Sequence, residues 1–121
     1  MKLSDEQVKS FKELGYVFIE NVFDAEEVEI MNNELPKMYS LDREEVQKEK
    51  DGKAVRTVFA AHTFSDIYSN LSRHPRIVEP AKQLLEGDVY IHQFKINAKE
   101  AFDGDLWQWH QDYGTWKNDD E

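Results

Sequence analysis

The sequence contains no cysteine, and that absence removes disulfides, thiolate nucleophiles, zinc–thiolate clusters and iron–sulfur ligation together. Histidine and carboxylate are the metal-binding chemistry that remains. Basic residues are few: 15 Lys and Arg stand against 25 Asp and Glu, a formal charge of −10. Such a surface repels phosphate backbones and anionic lipid, so neither nucleic acid nor membrane is an expected partner. No apolar run approaches the roughly 20 residues of a membrane span, and the opening Met1-Lys2-Leu3-Ser4-Asp5-Glu6 has no signal-peptide core. A soluble, cytoplasmic protein is expected. Internal repeats and low-complexity linkers are also absent. At 121 residues the chain can bury one modest core, so residues 1–121 read as a single domain or a piece of a larger one.

What is present begins with helices. Ser4 followed by Gln7 fits a capping box, Val8, Phe11 and Leu14 recur at helical spacing, and Gly15 can end the helix. A short strand is expected over Tyr16 to Glu20. Asp24 with Glu27 repeats the cap signature, and Val28, Met31, Leu35 and Met38 make an apolar stripe on a second helix, with Pro36 kinking its last turns. Leu41 to Gly52 is mostly charged and reads as an exposed helix or loop closing at an Asp51-Gly52 turn. Ala54 to Phe59 has the alternation of a strand, and Phe64, Ile67, Tyr68 and Leu71 return to a helical face. Pro75 opens a further helix to about Glu86, stopped by a left-handed Gly87. Val89 to Asn97 and Leu106 to Tyr113 then read as strands, separated by a link containing Gly104. Helices first and strands last predict an α+β fold, with a helical face laid on a sheet.

Period two divides Val89 to Asn97 into two faces. Gln93, Lys95 and Asn97 share one, and Phe94 and Ile96 fall on the other. An amide, an ammonium and an amide in a row are poor core material. They suit the lining of a pocket for an anionic or zwitterionic ligand, or a face that simply reaches solvent. On the next strand Gln108, His110 and Asp112 share a face. His110-Gln111-Asp112 could hold a metal ion, and is equally a plausible structural hydrogen-bonded pair. Trp107, Trp109 and Trp116 could wall a site from which water is excluded, or could be core. The remaining histidines are weaker candidates: His62 follows a strand, and His74 before Pro75 suits a capping or surface role. His92 faces away from Gln93, Lys95 and Asn97, and could join them only through a bulge.

Gln93-Phe94-Lys95-Ile96-Asn97 and Trp109-His110-Gln111-Asp112-Tyr113-Gly114-Thr115-Trp116 together resemble the N-terminal part of the phytanoyl-CoA dioxygenase superfamily. The likeness is greatest to its ectoine hydroxylase and related amino-acid hydroxylase branch. It extends from Gly15-Tyr16-Val17 through Val55-Arg56-Thr57-Val58-Phe59 and the Arg73 to Gly87 helix. The resemblance implies a double-stranded β-helix (a jelly-roll, cupin-like fold) and non-haem iron(II), 2-oxoglutarate-dependent oxygen chemistry. By the same resemblance His110 and Asp112 would be metal ligands, and Asn97 and Lys95 would contact 2-oxoglutarate. Lys95 keeps the charge of the branch's arginine but loses its fork of donors. Gln93 and Trp116 would line the substrate pocket. Gln111, Tyr113 and Gly114 stand where the ectoine branch shows Ser, Phe and Glu, a departure that leaves the substrate open.

In that family a distal histidine completes the iron site and an arginine pairs with the far carboxylate of 2-oxoglutarate. Both come from later strands, and no histidine follows Asp112 in this sequence. The distal half of the β-helix is therefore expected to be absent, leaving a sheet edge that invites a homodimer. Two function classes follow. One is the front part of an oxygenase that uses Fe(II), 2-oxoglutarate and O2 to hydroxylate a small amino-acid-like substrate. The other is a truncated, non-catalytic relative acting as a binding or interaction module. A zinc hydrolase fits least, because no helical His-Glu-x-x-His pattern is present.

Overall fold

A computed structural model describes residues 1–99 and 108–116, with only the backbone of residues 115 and 116. Helix α1 (Asp5–Leu14) starts where the sequence places it. The Gln7 backbone N–H donates to Ser4 Oγ (3.2 Å) and the Ser4 N–H donates to Gln7 Oε1 (2.9 Å), a reciprocal cap. Gly15, at φ 82°, closes it by donating its N–H to the Phe11 carbonyl at 2.8 Å. Helix α2 (Ala25–Ser40) has the same box from Asp24 and Glu27, each bond 2.9 Å, and continues through Pro36 to Ser40. Helices α3 (Asp66–Ser72) and α4 (Pro75–Leu85) follow as expected, α4 opened by Pro75 and capped by His74 Nδ1, which accepts from the Arg76 N–H at 3.1 Å. Its left-handed stop is one residue earlier than expected, at Glu86 (φ 56°) rather than Gly87.

The sheet is three-stranded and antiparallel in the order β1 (Val46–Lys48), β2 (Val55–Phe59), β3 (Lys95–Asn97). Strand β1 corrects the loop or helix expected over Leu41 to Gly52. It was hidden because Val46 alone packs on the core while Gln47 and Lys48 are exposed. The strand expected over Val89 to Asn97 is only Lys95–Asn97. Its partner β2 ends at Phe59, and Ala60 turns away at φ 53° into a 3₁₀ turn (Ala61–Thr63), so the β2 side meets residues 89–94 only through the Ala60 N–H to Phe94 carbonyl bond. Tyr16 to Glu20 likewise forms no strand, and Tyr16 and Phe18 are exposed.

The expected strand Leu106 to Tyr113 is replaced over its described part. Residues 108–111 are irregular and Asp112–Trp116 is a short helix, α5. Leu106, Trp107 and the Gly104 link lie outside the described residues.

One face of the sheet carries the core. Met38 of α2, Val58 of β2, Ala61 and Tyr68 of α3 are buried together, with Leu35, Phe94 and Ile96 packed against them. The Tyr68 hydroxyl donates to the Met31 carbonyl (2.9 Å), and burial pushes its pKa up to about 12. Ser65, the cap of α3, donates its hydroxyl to the buried Glu34 carboxylate at 2.8 Å. Among the described residues no helix is long and apolar enough to cross a membrane.

Candidate functional site

On the opposite face of the sheet lies a cleft of about 300 Å³, lined by Gln47, Lys48, Arg56, Thr57, Phe59, Gln93, Lys95 and Asn97. Alternation explains much of this lining. On β3 and the residue before it, Lys95, Asn97 and Gln93 face the cleft while Phe94 and Ile96 pack on the core. The expected face is therefore present, and it is a concavity rather than a plain solvent surface.

Strand β2 departs from alternation. Gln47 stands opposite Thr57 and Lys48 opposite Val55, so Arg56 is the extra residue of a β-bulge. A bulge turns consecutive side chains to the same side. Val55 and Val58 pack on the core, while Arg56 and Thr57 both line the cleft. Glu49, its side chain 9% exposed, lies 3.5 Å from the Arg56 guanidinium. The Thr57 hydroxyl donates to Asn97 Oδ1 at 3.1 Å, which engages the amide oxygen and directs the remaining capacity of Asn97 toward donation. Lys48, Arg56 and Lys95 thus bring positive charge into one cleft on a chain whose formal charge is −10. Sequence reasoning found Gln93, Lys95 and Asn97 but missed Lys48, Arg56 and Thr57. Pairing register, which no single strand's pattern contains, is what places them.

His110 and Asp112 come together by a different route from the one expected. They do not share a strand face. His110 precedes α5, Asp112 begins it, and His110 Nε2 lies 3.2 Å from Asp112 Oδ1. His110 Nδ1 lies 2.8 Å from the Gln108 carbonyl oxygen. A carbonyl can only accept, so Nδ1 carries the hydrogen and donates. Nε2 then meets the carboxylate favourably only through a proton or a cation between them. Two metal ligands at about 2.1 Å and near a right angle sit about 3 Å apart. The donor set and its spacing therefore fit two adjacent positions of an iron site, with the Gln108 carbonyl fixing the ring as outer partners of metal-bound histidines do. Among the described residues no group of three His, Asp or Glu side chains converges as a metal site.

The cleft lining does not include His110 or Asp112. The side chain of Trp116 lies outside the described structure. Trp109 is exposed on every side, neither core nor wall. His62 is half-buried, its ring centroid 5.1 Å from that of Phe94, and His92 is exposed.

Comparison with known proteins bears on these groups. The family model described as phytanoyl-CoA dioxygenase matches residues 11–121. An ectoine dioxygenase of Bordetella parapertussis is 38% identical over 98% of this chain and 40% of its own length. L-proline trans-4-hydroxylase of Streptomyces griseoviridis is 44% identical over 64% of this chain and 29% of its own length. Crystal structures of EctD from S. alaskensis, one with bound Fe and one with 2-oxoglutarate and 5-hydroxyectoine, superpose with a TM-score of 0.85 at 32% identity, covering 94% of this chain and 42% of theirs. The chain thus has the α+β fold of the front part of a double-stranded β-helix enzyme, and spans about two fifths of the length of the ectoine dioxygenases it matches.

Proposed function

The chain belongs to the phytanoyl-CoA dioxygenase family, and from that premise we propose that it is the front portion of an iron(II)- and 2-oxoglutarate-dependent hydroxylase of a small, amino-acid-like substrate. The observation that carries the reading is the approach of His110 Nε2 to Asp112 Oδ1 at 3.2 Å, with His110 Nδ1 engaged by a carbonyl. His110 and Asp112 would hold the metal as two of its protein ligands. Bound iron supplies the oxidation, in which O2 and 2-oxoglutarate are consumed, succinate and carbon dioxide are released, and a substrate C–H becomes C–OH.

The chain's own residues bind and orient. Lys95 and Asn97 take a carboxylate of 2-oxoglutarate, the ammonium by charge and the amide by donation. Gln93, which lines the cleft, is assigned to the substrate, and the family resemblance adds Trp116. Relatives acting on ectoine and on L-proline support a small substrate. Anaerobic titration of Fe(II), read by quenching of tryptophan emission, tests the pair. Saturable quenching is expected and should be lost in His110→Ala and Asp112→Ala; quenching unchanged in both variants removes the pair as ligands.

A second reading, a binding module without turnover, is favoured by one observation, that no three metal-ligating side chains converge among the described residues. Succinate formation dependent on His110, in a protein containing this chain and the remainder of the fold, decides against it.

A further inference from the structure

One polar row crosses all three strands on the cleft side of the sheet. Gln47 of β1 stands opposite Thr57 of β2, Thr57 stands opposite Asn97 of β3, and all three line the cleft. The bulge at Arg56 makes the row possible, since Thr57 stays on the cleft side while Val55 returns to the core. The members of the row are held very differently. Thr57 lies on the central strand, 4% exposed, and its branched side chain has little freedom about χ1. Asn97 ends a three-residue outer strand and is exposed. Its amide turns about a soft, nearly two-fold torsion, so on its own it would show a ligand its oxygen as readily as its nitrogen.

Hydrogen bonding removes that ambiguity. Gln47 is turned to the Glu44 carbonyl, to which its amide donates. The Thr57 hydroxyl, which must find a partner because it is buried, donates to Asn97 Oδ1 at 3.1 Å. Among the described residues the Asn97 side chain makes no other hydrogen bond. The amide oxygen is thereby tied back to the sheet, and the Nδ2 hydrogens are left for the cleft. Resting on the hydroxylase reading above, we infer that Thr57 is a positioning residue: its hydroxyl fixes the Asn97 amide with the donor outward, so that a carboxylate of 2-oxoglutarate meets hydrogens rather than a repelling oxygen. Lys95, in the same cleft, supplies the charge, and the amide adds to it only while it is held in this sense.

The test is a double-mutant cycle read by binding, without metal or turnover. 2-Oxoglutarate is titrated into the chain and into its Thr57→Val, Asn97→Ala and doubly substituted forms, with the backbone NMR shift of Lys95 reporting occupancy. Thr57→Val keeps the volume and removes the hydroxyl; it should weaken 2-oxoglutarate roughly fivefold, the coupling expected of two side chains in one hydrogen-bond network. Thr57→Ser, which keeps a hydroxyl, should escape most of that loss. In Asn97→Ala, where there is no amide to orient, Thr57→Val should change nothing further. An equal loss in both backgrounds would mean that Thr57 acts through the strand itself, and overturns the inference. So does a serine form that binds no better than the valine form, the comparison that decides if Asn97→Ala abolishes binding outright. Thr57→Ser against Thr57→Ala repeats the test if the valine form misfolds. Binding by Asn97→Ala as tight as by the unchanged chain, or no binding by the unchanged chain, removes Asn97 from the cosubstrate and this inference with it. Loss of Fe(II) quenching in His110→Ala is read separately, so the metal pair and the Thr57 contact stand or fall independently.

Discussion

A histidine two residues before an aspartate carries information only once its two nitrogens are distinguished. In this chain the Gln108 carbonyl claims Nδ1 and thereby turns Nε2 toward the Asp112 carboxylate. That orientation is local, set by backbone within two residues of the ring. Asp112→Asn keeps the size of the side chain and an oxygen but removes the charge that would hold a divalent ion in the proposed site. It should weaken Fe(II) at least about tenfold in the quenching titration while leaving far-ultraviolet circular dichroism unchanged. The residue types of this pair were legible in the sequence; their backbone was not. Alternation suggested a strand, whereas convergence comes from Asp112 opening a helical turn immediately after an irregular segment.

Elements whose ends are decided by neighbours in sequence were the legible ones. Ser4 with Gln7 and Asp24 with Glu27 mark the starts of α1 and α2, because each cap is made within four residues. Asp24→Ala should cost about 1 kcal/mol in chemical denaturation, the usual worth of such a cap. Strands depend on partners far along the chain, and so β1 and the Arg56 bulge were invisible until Val46 met Val58 and Lys48 met Val55. Between elements, Arg76 of α4 reaches the start of α2. It donates to the Val22 carbonyl at 2.7 Å and to both oxygens of Glu27, and lies over the Phe23 ring at 4.6 Å. The Arg76 hydrogen bond, then the Asp24 backbone N–H, hold the Glu27 carboxyl below its usual range. A depressed carboxylate stabilises the fold above its unfolded pKa of about 4.3 and ceases to as pH falls through the lower folded value. The thermal midpoint should therefore drop on acidification from pH 5 toward pH 3, and Glu27→Gln should flatten part of that slope. An unchanged slope would mean that the clamp contributes nothing to acid sensitivity.

Across the whole molecule, the sheet separates two functions by face. Met38, Val58 and Tyr68 bind helices to one side, and the cationic cleft opens on the other. Truncating the core should unfold both faces together: Met38→Ala should cost roughly 2–5 kcal/mol in denaturant melts. Strands β1 and β3 are the outer members of the sheet formed by the described residues, and such edges pair with other strands. The central claim is that His110 and Asp112 hold a metal that serves the cleft of Lys95 and Asn97. Paramagnetic Mn(II), added in substoichiometric amounts while backbone NMR signals are recorded, tests it most directly. Broadening should be greatest at His110 and Asp112 and should extend to Lys95 and Asn97; broadening centred on His62, His74 or the exposed carboxylates, with 110 and 112 spared, would contradict it.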